Sequence, residues 1–221
     1  MTYHINYNFI WQYFDKFYWG LLLGIELAAI SILIGALIGL VLALIYVDGP
    51  RWARRPVTAY VEFFRNQPLI LLVYFVFYGV PSVGGFEYDN VTSFIITLSV
   101  YSAAYLTEIF RSGLDAVPRG LLDAGKAIGL TPRQRLLHVR LPAMLRVTLP
   151  ALGNEFVSLF KDTSVASVIA VPELTYAANW MSTNKFRIIE GYSIAAPMYL
   201  VTCYVIFGAL YLLERRYAVK R

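Results

Sequence analysis

Residues 21–47 read LLLGIELAAISILIGALIGLVLALIYV, an apolar run with a single charge, Glu26, near its start. A helix rises 1.5 Å per residue, so about 20 such residues cross the ~30 Å hydrocarbon core of a bilayer. This stretch predicts a transmembrane helix. Four more segments extend the pattern on its C-terminal side. Residues 60–80 are apolar beyond a polar first half with Glu62, Arg65, Asn66, Gln67 and Pro68, and 91–110 are apolar until Glu108. Residues 149–171 contain Asn154, Glu155, Lys161 and Asp162, and 194–213 are uninterrupted. The composition agrees: apolar and aromatic types make up 58 % and charged types 15 %, against about 45–50 % and about 25 % in soluble domains. The expectation is an all-α integral membrane protein with five transmembrane helices.

The remaining sequence is organised around those spans. Residues 7–19 (YNFIWQYFDKFYW) are aromatic and too polar to cross, and read as an interfacial segment spanning 1–19 ahead of a single domain, 20–221. No basic n-region with a cleavage site precedes the first span, which predicts no removable signal peptide. Asp48-Gly49-Pro50 and Gly79-Val80-Pro81 read as helix stops. Fifteen of the nineteen lysines and arginines fall on one side, in the links after spans one and three, at Arg65 just beyond the first of these, and in the tail; Lys16, Lys185 and Arg187 fall opposite, and Lys161 lies within span four. By the positive-inside rule the N-terminus is outside and the C-terminus cytoplasmic. The same asymmetry explains the net charge of +5 without nucleic acid. One cysteine, Cys203, and two distant histidines, His4 and His138, offer no metal site.

The cytoplasmic link between spans three and four, about 116–146, carries helix signals of its own. Pro118 reads as the N1 opening of a helix and Gly129 as its C′ stop. Thr131-Pro132-Arg133-Gln134 reads as N-cap, N1 and capping box of a second helix, which Leu141-Pro142 ends or redirects. Within the first helix Gly120 to Ala127 fits GxxxxGK, but Ala127 replaces the Mg²⁺-binding hydroxyl and no strand precedes it, so a phosphate loop is rejected. Ala124, Gly125 and Ala127 are small, which leaves open either a bare helix face for a protein partner or a plain surface connector.

Two readings also stand for the charges inside the spans, where an unpartnered charge costs about 2.5–3.5 kcal/mol. Ala151, Glu155, Ser158, Asp162 and Ala166 share one face at helical spacing, with Asn154 beside them. This stripe either lines a substrate path or pairs with neighbouring spans; pairing is favoured for Lys161 and Asp162. Glu62/Arg65 and Glu108/Arg111 are i,i+3 pairs and read as structural or gating charges.

The stretch Leu121-Leu-Asp-Ala-Gly-Lys-Ala-Ile-Gly-Leu130, followed by Val139-Arg140-Leu141-Pro142, resembles the EAA loop of ABC-importer permeases, with Asp123, Gly125 and Val139 as departures. Phe63-Phe-Arg-Asn-Gln-Pro-Leu69, Tyr101 to Arg111, and Leu152-Gly-Asn-Glu-Phe156 through Lys161-Asp-Thr-Ser164 are similar to the polar amino acid uptake branch. The resemblance runs from about Gly20 to the C-terminus. It implies a type I importer permease, a membrane-spanning translocation subunit in the bacterial inner membrane. It also implies pairing with a second permease, identical or related, and two ATPase subunits carrying ATP and Mg²⁺. An extracytoplasmic solute-binding protein completes the assembly. Coupling would fall to Asp123, Ala124, Gly125, Ala127, Gly129, Leu141 and Pro142, and no cofactor or catalytic residue to this chain. The alternative is a stand-alone channel or secondary carrier, disfavoured by the odd span count and by halves that show no repeat. No HExxH, Cys/His pair or nucleophile elbow supports an intramembrane enzyme.

Overall fold

The computed structural model describes residues 4–85 and 87–217. Among them every regular element is helical: α1 (Asn8–Trp11), α2 (Phe14–Asp48), α3 (Arg51–Arg65), α4 (Leu69–Tyr74), α5 (Val80–Gly84), α6 (Asn90–Asp115), α7 (Arg119–Ala127), α8 (Pro132–Arg135), α9 (Leu141–Asp162), α10 (Leu174–Lys185) and α11 (Ile188–Tyr217). A π-helical turn, Phe75–Gly79, joins α4 to α5, and a second, Leu136–Arg140, joins α8 to α9. A 3-10 helix, Thr163–Ile169, continues α9.

Helices α2, α6 and α11 are long and apolar enough to cross a membrane, and the bent pair α3 and α4–α5 raises the number to four. Of the five expected spans, those at 60–80 and 149–171 are not single unbroken α-helices. In residues 60–80 the helix axis turns by 104°. Pro68 supplies no N–H and pushes Gln67 out of helical backbone, so α3 stops at Arg65 and α4 starts afresh at Leu69. Gly79-Val80-Pro81 does not end that segment. The chain stays helical to Gly84 and stops at Gly85, whose φ is +66°. Residues 149–171 are also interrupted, since α9 passes into the 3-10 turn at Thr163, whose hydroxyl donates to the Phe160 carbonyl at 2.7 Å. Most of the aromatic segment 7–19 is different again: α1 holds four residues, and from Phe14 onward it is the first part of α2.

Close backbone approach holds the bundle together. Gly35 and Gly39 on α2 face Ser102, Ala103, Leu106 and Thr107 on α6, and a Cβ on Gly39 would lie 3.0 Å from the Thr107 nitrogen. Small residues four apart let two helices touch along their backbones, where packing rather than water drives association. Three apolar clusters then stack along α2. Phe17 packs with Leu174, Ala178 and Met181; Leu27 with Phe94, Leu98 and Leu159; Ala43 with Phe110, Leu114 and Met144.

Candidate functional site

The link between α6 and α9 folds by its local chemistry. Pro118 is the N-cap of α7 rather than N1: its ψ of 131° is still extended, and Arg119 is the first helical residue. At the other end Gly129 has φ +81°, Leu130 N–H donates to the Gly125 carbonyl at 3.0 Å and Gly129 N–H to Lys126 at 2.9 Å. This is a Schellman stop, available to glycine because it carries no Cβ. Two residues on, Thr131 caps α8 in a reciprocal box with Gln134. Leu141-Pro142 neither ends nor redirects the helix. Pro142 falls in the first turn of α9, and the preceding π turn, with Leu141 N–H bonded to the Leu136 carbonyl, makes room for its ring. Pro81 follows the other π turn at the same spacing.

The small residues of α7 do not share a face. Gly125 is buried, its α-carbon turned to Arg135 and Leu130, whereas Ala124 and Ala127 are exposed. The outward face is Leu121, Ala124 and Ile128, with Leu121 47 % and Ile128 76 % exposed. Lys126 Nζ pairs with Asp123 at 2.8 Å, and that bond, helped by Arg119 and Arg135, holds the Asp123 carboxyl below its ordinary range. The whole loop is tied to α2 by Arg140, whose Nη1 donates to both carboxylate oxygens of Asp48 at 2.7 and 2.9 Å. Those residues are 92 apart, and the sequence carries no sign of the pair.

A second polar region lies between α3, α6 and α9. The Glu155 and Asp162 carboxylates act electrostatically on each other and on the Tyr101 phenol of α6. Tyr101 and Tyr105 share a hydrogen bond at 3.0 Å, Tyr105 donates to the Arg65 carbonyl at 3.4 Å, and the Arg65 guanidinium lies 5.2 Å from the Tyr105 ring. Ser158 is half-buried and Asn154 exposed on the same helix. Neither Lys161 nor Asp162 forms an ion pair with a described residue.

Glu62, Arg65, Glu108 and Arg111 do converge, around a cavity of about 200 Å³ that Tyr46 and Thr58 complete. Their pairing is uneven. Arg111 meets Glu108 at 2.8 Å and Asp115 at 3.7 Å, but Glu62 and Arg65 form no bridge, because Arg65 turns to Tyr105 instead.

In the link 172–191, one face of α10 and both glutamates are interior, while the turn around Phe186 is exposed. Glu173 is fully buried as the N-cap of α10, accepting from Thr175 N–H and Tyr176 N–H at 2.8 Å and from the Tyr199 hydroxyl at 2.7 Å. Glu190, also buried, takes Arg187 at 3.0 Å. Tyr199 and Asp48 are the partners that reading the sequence missed. Each lies far along the chain from the residue it serves.

Comparison with known proteins bears on this arrangement. Residues 13–219 match the family described as binding-protein-dependent transport system inner membrane component. The chain is 31 % identical to the probable glutamine ABC transporter permease GlnM of Bacillus subtilis, over 93 % of each chain. It is 34 % identical to the L-cystine transport system permease TcyB of the same organism, covering 93 % of this chain and 90 % of the relative. A crystal structure of an amino acid ABC transporter with histidines superposes with a TM-score of 0.88 at 29 % identity, covering 97 % of this chain and all of that one. The chain belongs to the binding-protein-dependent inner membrane components, the membrane-spanning permease subunits of ABC importers, in which a separate subunit hydrolyses ATP.

Proposed function

We propose that this permease moves a polar amino acid or a related solute inward and takes its driving force through α7. The observation that carries this reading is the outward apolar face Leu121–Ala124–Ile128, held by two glycine- and threonine-capped turns and tied to α2 through Arg140–Asp48. An exposed apolar strip on a short helix outside the bilayer suits a groove on an ATPase subunit. Asp123, Ala124, Gly125, Ala127 and Gly129 shape that helix, and Leu141 and Pro142 pass its displacement into α9. ATP and Mg²⁺ belong to the ATPase. Basic asymmetry supports an N-terminus outside and a cytoplasmic C-terminus; of the tail cations, Lys220 and Arg221 lie outside the described residues. A second permease, identical or related, accounts for the apolar faces of α2 and α11, and lipid covers the remainder.

Glu155 and Asp162, with Ser158, Asn154, Tyr101 and Tyr105, supply carboxylates, hydroxyls and an amide where a solute's ammonium group would pass. The names of the relatives support an amino acid as cargo. A channel acting alone would have no use for the α7 face.

The test is the double variant Leu121→Glu/Ile128→Glu in a complex reconstituted with the ATPase and a loaded binding protein. Membrane levels should stay normal, while ATPase recovery with the permease and solute-stimulated hydrolysis are lost. Wild-type coupling in that variant would reduce α7 to a surface connector.

A further inference from the structure

Around the helix from Leu121, Ala124 and Ile128, the inward side of α7 closes a cavity of about 420 Å³ against the end of α2. Leu122, Pro132 and Leu136 line it together with four cations, Lys126, Arg133, Arg135 and Arg140, and a single acid, Asp48. That acid is already engaged by Arg140, and Lys126 is paired with Asp123. Arg133 and Arg135 form no ion pair with any described residue. Arg140 Nε is buried without an acceptor. The cavity therefore presents surplus positive charge and unsatisfied donors to an occupant.

We propose that this cavity holds the phosphate of an anionic phospholipid from the leaflet at the α7 end of the molecule. Guanidinium groups match phosphate oxygens in charge and in planar donor geometry. Depth favours a lipid over a freely dissolved phosphate. Asp48 is the last residue of α2 and follows an apolar run unbroken by charge from residue 27, so the cavity sits where hydrocarbon gives way to headgroups. Trp52, 76 % exposed just beyond it, is the kind of residue that anchors at that level. Leu137 and Leu145, 47 % and 46 % exposed, offer apolar surface for an acyl chain on the segment that leads from the cavity into α9. A bound headgroup would bridge α7, α8 and the end of α2. The inference rests on the proposed orientation only for which leaflet provides the lipid.

The experiment uses the full-length permease with its ATPase, reconstituted in phosphatidylcholine vesicles doped with phosphatidylglycerol, then extracted and weighed by native mass spectrometry. Wild type should keep phosphatidylglycerol through delipidation. Arg133→Gln/Arg135→Gln should weaken retention about thirty-fold, at about five-fold per cation near an anionic surface. Arg133→Lys/Arg135→Lys, which preserves the charge and the aliphatic stem of the half-buried Arg135, should restore most of it and shows that the fold survives change at these positions. Equal retention by wild type and the glutamine variant overturns the proposal. Displacement of the lipid by millimolar inorganic phosphate overturns it in favour of a free-phosphate site. Retention by the permease alone but not with the ATPase bound overturns it in favour of a protein-docking surface. None of these readings depends on Leu121 and Ile128, so the lipid site and the coupling face stand or fall separately.

Discussion

Two links between spans each contain a short helix, and they are built on opposite terms. In the 172–191 link, α10 buries Leu174, Ala177, Ala178 and Met181, and its N-cap Glu173 is sealed beneath Tyr199. In the 116–146 link, α7 buries only Gly125 and presents Leu121 and Ile128 to its surroundings. Backbone caps hold α7; apolar burial holds α10. A segment with few buried contacts opens at low cost, whereas one inside the core moves only with the core. On the proposed coupling role of α7, the contrast places the segment that opens most easily where the ATPase would dock and the rigid one in the other link.

The strongest way to break this contrast is to attack α10 through its neighbour. Gly20 on α2 lets the backbone of Glu173 and Leu174 approach, and a Cβ there would lie 2.7 Å from the Glu173 carbonyl carbon and 2.9 Å from the Leu174 nitrogen. Neither is a flexible side-chain end that can swing aside. Gly20→Val should cost about 3 kcal/mol or more as overpacking, seen as loss of thermally stable protein in detergent. A variant as stable as wild type would mean that α10 floats and that the two links are alike.

An intermediate effect is expected at the stop of α7. Gly129→Ala places a side chain at φ +81°, where nothing lies within 4 Å, so the cost is backbone strain alone. That strain is worth about 1–2 kcal/mol, confined to the loop. Amide hydrogen exchange should quicken in α7 and α8 while α10 and the spans keep their protection. Faster exchange spreading into α10 would show that the links share one cooperative unit.

Sequence told most about the region that folds locally. Gly129, Thr131, Pro132 and Gln134 act on neighbours within four residues, so their turns could be read from spacing. The bend at Pro68 was half visible: the proline stood in the run, but whether the chain kinks or breaks depends on what α4 packs against. Both π turns escaped because they answer prolines that follow them, Pro81 and Pro142, which read as stops. Small size does not distinguish exposure from close packing, so the sequence does not separate buried Gly125 from exposed Ala124 and Ala127. Arg140–Asp48 and Glu173–Tyr199 depend on tertiary meeting across 92 and 26 residues. No local pattern encodes either pair. The carboxylates of α9 are legible as a stripe, but not that Tyr101 of α6 lies near enough to feel their charge.

The smallest expected effect sharpens the comparison most, because it falls on a residue that the EAA resemblance singles out. Asp123 pairs with Lys126 at 2.8 Å, yet both side chains are more than half exposed. Such i,i+3 pairs trade weak Coulomb attraction in water for lost side-chain freedom. The depressed Asp123 carboxyl has a definite sign: any stability it contributes is present at neutral pH and is lost as pH falls through its lowered pKa. Such exposure leaves that contribution negligible. Asp123→Asn should therefore leave the melting temperature unchanged at neutral pH, in low and in high salt. ATPase stimulation by the loaded binding protein, measured on the same preparation, then reports a role in contacting the partner without a stability term mixed in. A melting temperature lowered as far as by Gly129→Ala would make the pair a structural element of α7. The claim that caps rather than charges hold this helix would then fail.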